Sequence, residues 1–200
     1  MGKIFCIMGK SSSGKDTLYQ LLLNKEELHL SRIIPYTTRP RRRLEEDGRE
    51  YFFVDEKQQQ KMEEEGKIIE LRSYDTVHGI WKYFTVDDGQ ISLENHNYLM
   101  IATLEAYEKM LLFFGKEVMV PIYVEVEDGI RLQRALDREK LQDYPKYAEL
   151  CRRFLADTED FSQEKLLHAN INRRFYNETL EKTCQEIGAY IKCEICTATS

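Results

Sequence analysis

The chain has 200 residues, 42% of them hydrophobic and 32% charged, with a formal net charge of −6. Such values describe an ordinary globular chain of one domain, and the acidic balance argues against general nucleic-acid binding. No run approaches the roughly 20 apolar residues needed to span a bilayer. Apolar residues begin at Ile4, so no removable leader is expected.

Ile4-Phe5-Cys6-Ile7-Met8 is a continuous apolar run, the pattern of a strand covered on both faces. Gly9-Lys10-Ser11-Ser12-Ser13-Gly14-Lys15-Asp16-Thr17 follows, then a helical stretch with Leu18, Leu21 and Leu22. Strand, Gly-x4-Gly-Lys turn and helix together read as a phosphate-binding loop. The glycines let the backbone bend so that successive N–H groups, including those of Ser11, Ser12 and Ser13, face one phosphate group. The helix start adds a partial positive charge and Lys15 a full one. The position after the lysine, normally a magnesium-reaching Ser or Thr, holds Asp16, with Thr17 next. Either side chain is a candidate ligand, since magnesium keeps several waters and leans on substrate phosphates.

Ser31-Arg32-Ile33-Ile34 is a weaker strand candidate. Arg39, Arg41, Arg42 and Arg43 then crowd together, with Arg49 close behind. Beside a phosphate loop, a second anion site explains this cluster better than a solvated surface or an address tag. Residues 35–86 read as a small α+β insertion: short strands at Phe52–Val54, Lys67–Leu71 and Trp81–Val86, with a charged helix over Glu56–Glu65. Further buried strands are expected at Tyr98–Ala102, Val118–Val124 and Ala169–Ile171. Helices are expected at Glu105–Phe114, Asp128–Lys140 (capped by Asp128), Tyr144–Glu164 (with Pro145 near its start) and Tyr176–Ile191. Alternating strands and helices indicate a doubly wound α/β fold with a parallel sheet, its core formed by residues 1–34 and 87–200. The five cysteines, Cys6, Cys151, Cys184, Cys193 and Cys196, fit reduced thiols in a cytoplasmic protein; Cys193-x-x-Cys196 has zinc-like spacing but no second pair.

Tyr36-Thr37-Thr38-Arg39-Pro40-Arg41-Arg42, followed by Asp47-Gly48-Arg49-Glu50-Tyr51-Phe52-Phe53-Val54, resembles the guanylate kinase family. The family's string is approximately S-x-T-T-R-x-P-R and then G-x-x-Y-x-F-V. The likeness continues through Ile69-Glu70, Arg134–Arg138 and Arg152-Arg153-Phe154, and covers roughly residues 4 to 172. It implies a P-loop NTPase three-layer fold, a monophosphate-binding insertion, a helical lid at about residues 134–150, and magnesium-dependent transfer of the γ-phosphoryl of ATP to a nucleoside monophosphate, GMP in the family. By position, residues Gly9 to Thr17 and Asn172 would hold ATP, with Asn172 at the adenine. Arg39, Arg42 and Tyr51 would hold the acceptor phosphate, and Glu70, His78 and Thr103 would lie at the base. Lys15, Arg134, Arg138 and Arg153 would surround the moving phosphoryl group.

Some positions depart from that pattern. Pro35 replaces the usual serine, His78-Gly79-Ile80 stands in the place of Tyr-Gly-Ser/Thr, and the strand at Tyr98–Ala102 lacks the family's aspartates, leaving Thr103 and Glu105 as the nearest polar residues. Lost polar contacts weaken discrimination between bases. The alternatives are a kinase of another small nucleotide, or a non-catalytic phosphopeptide-binding module of the same shape. No nucleic-acid, membrane or obligate protein partner is expected.

Overall fold

The computed structural model describes residues 1–76, 79–94 and 96–197. Its first strand, β1 (Ile4–Met8), is wholly buried, and alternate residues enter two separate apolar clusters. Phe5 and Ile7 face one side with Leu18 and Leu22 of helix α1 (Lys15–Leu23). Ile4, Cys6 and Met8 face the other. This two-sided burial is why the run is continuous rather than alternating, and each large side chain removed from water contributes about 1.5–3 kcal/mol.

After α1, a single 3-10 turn at Glu26–Leu28 leads to β2 (Leu30–Arg32). Residues 36–86 then form a four-stranded sheet from β3 (Tyr36–Thr37), β4 (Phe52–Phe53), β5 (Ile68–Thr76) and β6 (Gly79–Val86), ordered β4-β3-β6-β5. Helix α2 (Glu56–Glu64) starts at a capping box in which Asp55 and Gln58 satisfy each other's backbone N–H groups. The short strand β3 had no apolar run to announce it; its place is set by antiparallel pairing with β6.

The chain returns to the first sheet as β7 (Asn97–Ile101), then α3 (Leu104–Phe114), β8 (Met119–Glu125), α4 (Asp128–Lys140), α5 (Tyr147–Asp160), α6 (Gln163–His168), β9 (Arg174–Tyr176) and α7 (Leu180–Thr197). The five strands run β2-β7-β1-β8-β9, all pairs parallel. Helices α1 and α7 cover one face, while α3, α6 and the end of α5 cover the other, which gives three layers. Pro121 sits within β8 without disrupting the sheet, because β9 reaches only Tyr123–Glu125 on that side. No helix among the described residues is long and apolar enough to cross a membrane.

Four expectations are corrected. Ala169–Ile171 is not a strand: Asn170 takes a left-handed φ of 55°, and the N–H of Ile171 bonds the Leu166 carbonyl. That is a Schellman ending of α6, and Ala169 and Ile171 are apolar because they seal it against the core. The last strand lies further on, at Arg174–Tyr176, where flanking arginines hide its buried Phe175. The expected helix Tyr144–Glu164 is two helices, divided where Phe161 turns into the core and Ser162 caps α6. The cap of α4 is Glu127, whose carboxylate accepts from the amides of Gly129 and Ile130, rather than Asp128.

Candidate functional site

The phosphate loop bridges β1 and α1, as its motif requires. Gly14 has φ 86°, and a Cβ there would collide with Asn177 Nδ2. At Gly9 a Cβ would fall 2.6 Å from the Val124 carbonyl oxygen, so the loop lies directly on β8. Ser12, at φ 64°, is a non-glycine residue in the left-handed region. Lys15 is mostly enclosed and lies 3.6 Å from the exposed Asp16 carboxylate. Thr17 is also exposed on the first turn of α1.

Two charged side chains that no motif announced anchor this loop. Arg131 of α4 is almost fully buried; its Nη1 donates to the Ser11 carbonyl at 2.9 Å, and its Nε and Nη2 donate to Asp128. Asp157 of α5 accepts from the Ser11 amide at 2.8 Å and lies 3.6 Å from Arg131. The Phe154 ring stacks under the guanidinium, 4.6 Å from its carbon. Arg131 shares its helix face with buried Ala135, where sequence spacing gives no sign of a charge.

Of the three arginines expected near the moving group, Arg138 is closest to the loop, with Nη2 3.4 Å from Ser12 Oγ. Arg134 and Arg153 are exposed on α4 and α5. Asn172 is exposed in the connection before β9 and is not brought to the loop. Asn177, immediately after β9, is buried and its Nδ2 donates to the Ser13 carbonyl at 2.8 Å.

The insertion sheet faces the loop across a cavity of about 280 Å³. Gly9, Ser11 and Lys15 line it on one side; Tyr51, Arg72 and Tyr83 line it on the other. Pro35, Thr85 and Thr103 also reach it. Arg39 is buried, its fork held by both oxygens of Glu45 at 2.8 and 3.0 Å, with Nε donating to Tyr83 Oη at 3.1 Å and Nη1 also donating to the Pro40 carbonyl. The bonds to Arg39 hold the Glu45 carboxyl below the ordinary carboxylate range. Arg42 is exposed, and its backbone amide also binds Glu45. Burial pushes the Tyr51 hydroxyl upward, so it is a neutral donor.

Glu70 differs from expectation in its surroundings. Its carboxylate is fully enclosed, accepting from Arg72 Nε at 2.9 Å, Arg72 Nη2 at 3.2 Å and Thr85 Oγ1 at 2.9 Å. Arg72 and Thr85, not Glu70, lie along the cavity, and of the three only Arg72 keeps exposed side-chain surface. Thr103 caps α3 and lies 3.5 Å from Arg72 Nη1. His78 lies outside the described residues; a Tyr-x-Thr triplet at the cavity is supplied by Tyr83-Phe84-Thr85.

The sequence model of the family described as Guanylate kinase matches residues 1–80. A guanylate kinase of Caldanaerobacter subterraneus is 27% identical over 197 residues, covering 98% of this chain and 89% of its own length. One from Malacoplasma penetrans is also 27% identical, over 88% of this chain and 82% of its own length. The crystal structure of guanylate kinase from Anaplasma phagocytophilum superimposes with a TM-score of 0.64 at 21% identity, covering 96% of this chain and 86% of that one. The chain is similar to guanylate kinases along almost its whole length. The fold is therefore the P-loop NTPase fold of those enzymes, with the parallel sheet and flanking helices described above. Within this guanylate kinase-like frame the glycine turn keeps Gly9, Gly14 and Lys15.

Proposed function

We propose that the protein is a nucleoside monophosphate kinase that transfers the γ-phosphoryl group of ATP to GMP. The observation that supports this best is the shared cavity: phosphate-loop residues line one side and Tyr51, Arg72 and Tyr83 line the other, so two nucleotides can meet with their phosphates between them. Residues 35–86 act as the acceptor-binding domain, and α4 with the start of α5 (about residues 134–150) as the lid on the core.

In the reaction an acceptor phosphate oxygen forms a bond to the γ-phosphorus as the bond from that phosphorus to the β-bridging oxygen breaks, leaving ADP. The acceptor oxygen is already anionic, so no general base is required. The transition state is loose and spreads charge over the moving group, which makes well-placed cations the main catalytic device. Lys15 and the loop amides not already engaged, as Ser11 is by Asp157 and Ser13 by the Lys10 carbonyl, hold the donor phosphates; Arg134, Arg138 and Arg153 gather around the transferred group as the lid closes. Arg39 retains one of its five N–H donors beyond the bonds to Glu45, Tyr83 and Pro40, and with Arg42 and Tyr51 it serves the acceptor phosphate. Asn177, rather than Asn172, supports the donor end of the site.

Among the described residues no cluster of three metal-ligating side chains exists. Magnesium leans chiefly on nucleotide phosphates and water, and the exposed hard oxygen donors of Asp16 and Thr17 are the side chains that would complete its shell. Bound there, the ion neutralises charge on the donor phosphates. Cys6, Cys151, Cys184 and Cys193 are free thiols, in keeping with a cytoplasmic enzyme acting on small nucleotides. A coupled assay for ADP with GMP, dGMP, AMP, UMP and CMP tests the reading. The expected outcome is fastest turnover with GMP or dGMP. Equal rates with all five, or turnover with none, rejects GMP as the acceptor.

A further inference from the structure

Beneath the acceptor cavity the usual polarity of a guanine-reading wall is reversed. A carboxylate reads guanine through the ring N–H and the 2-amino group, both donors. Here Glu70 sits behind Arg72, with no side-chain exposure, and its oxygens already accept from Arg72 and Thr85. Of the pair only Arg72 lines the cavity, with a side chain that keeps 14% exposure against none for Glu70. Its Nε and one Nη2 hydrogen are spent on Glu70, and Nη1 makes only a long 3.5 Å approach to Thr103. The remaining Nη1 and Nη2 hydrogens form a donor fork, and the Glu70 bonds fix the plane in which it lies. The neighbours cannot supply the missing carboxylate: Thr103 is engaged as the α3 cap, and Pro35 has no side-chain polar atom.

We infer that Arg72 selects the acceptor base, binding the carbonyl-and-N7 edge of a 6-oxopurine and leaving its 2-amino group unread. This rests on the monophosphate-kinase reading but deepens it. Two neighbouring acceptors, O6 and N7 of guanine, match an arginine fork in a bidentate pair. Hypoxanthine presents the same two acceptors and differs from guanine only by lacking the 2-amino group. Adenine carries an amino group in place of O6, so its donor meets a donor. GMP and IMP should therefore be taken almost equally, and AMP rejected.

The test measures equilibrium binding of GMP, IMP and AMP by calorimetry without ATP, alongside phosphoryl transfer to each. For the wild-type protein, GMP and IMP are expected to bind within about threefold of each other, and AMP roughly 10- to 100-fold more weakly, the worth of one bidentate pair. Arg72→Lys keeps the charge over Glu70 but loses the fork, and should reduce the discrimination against AMP roughly tenfold. Arg72→Ala uncovers the Glu70 carboxylate and should make GMP bind at least roughly tenfold better than IMP. GMP preferred over IMP by more than about 30-fold in the wild type would mean the 2-amino group is read, and would overturn the inference. So would an unchanged GMP-to-AMP ratio in Arg72→Lys, a variant that keeps a cation beside Glu70. Binding in the expected order without phosphoryl transfer upholds the role of Arg72 and removes the kinase reading. Absence of binding by all three nucleotides removes both.

Discussion

Asp157 Oδ2 accepts a 2.8 Å hydrogen bond from the amide of Ser11, joining α5 to the phosphate loop across 146 residues of sequence. Arg131 completes the junction by donating to the carbonyl of the same residue, so one carboxylate and one guanidinium grip both main-chain polar groups of Ser11. Removing one partner of such a buried set leaves the other groups uncompensated. Asp157→Ala should destabilise the fold by about 1–3 kcal/mol, read as a lower urea midpoint at constant slope. Asp157→Asn, which can still accept from Ser11, should lose less. Equal losses for the two variants would show that the amide bond carries none of the effect.

The Arg39–Glu45 pair makes stability depend on acidity in a defined direction. Bonds to Arg39 depress the Glu45 carboxyl in the folded chain, while in the unfolded chain it titrates near the usual value of about 4.3. The unfolded state therefore binds the proton more readily, and the contribution is complete above that range. It is lost as the pH falls through the folded-state value. Glu45→Gln should unfold with a shallower loss of stability between neutrality and acid than the wild type, measured by urea titration at stepped pH. Parallel curves for the two proteins would remove the pair as a source of acid sensitivity.

Neighbouring arginines should behave differently on the two sides of the helical hairpin. Arg138 approaches Ser12 Oγ in the phosphate loop, whereas Arg152 points away and pairs with Glu149 at 2.7 Å. Arg138→Ala is expected to lower kcat by roughly 10³-fold, at the low end for an arginine that stabilises a transferring phosphoryl group. Arg152→Ala should change kcat by less than about twofold, since exposed ion pairs are worth little. Steady-state kinetics under saturating nucleotides would expose any reversal of that order.

Lys15 supplies the single full positive charge within the phosphate loop's closing turn, and only about a sixth of its side chain is exposed (17%). Lys15→Met preserves the aliphatic stem and so the packing, but removes the charge that the proposed function assigns to the donor phosphates. Turnover should fall by roughly 10²- to 10³-fold or more with the unfolding midpoint little changed. A variant that retains activity would dismiss Lys15 from the chemistry.

Much of this molecule can be read along the chain, because local rules and global packing agree there. The run Ile4–Met8 is β1 to the residue, and Asp128–Lys140 is α4, since a strand buried on both faces and a helix with one apolar stripe each leave a periodic trace. The glycine turn is legible for a related reason: its backbone geometry tolerates few residue types. Other features arise only when distant segments meet. β9 is three residues long, and its strand character comes from Tyr123–Glu125 beside it rather than from its own composition. Glu70 and Arg72 stand two apart, on one side of a strand, where their spacing does not say which of them seals the other. Thr85 and the depth of the cavity decide that, by burying the carboxylate completely and leaving Arg72 partly exposed beside the cavity. Periodicity records which way a side chain points. Which charge remains exposed to a ligand depends on desolvation and pairing by groups from several elements, and those exist only in the assembled fold.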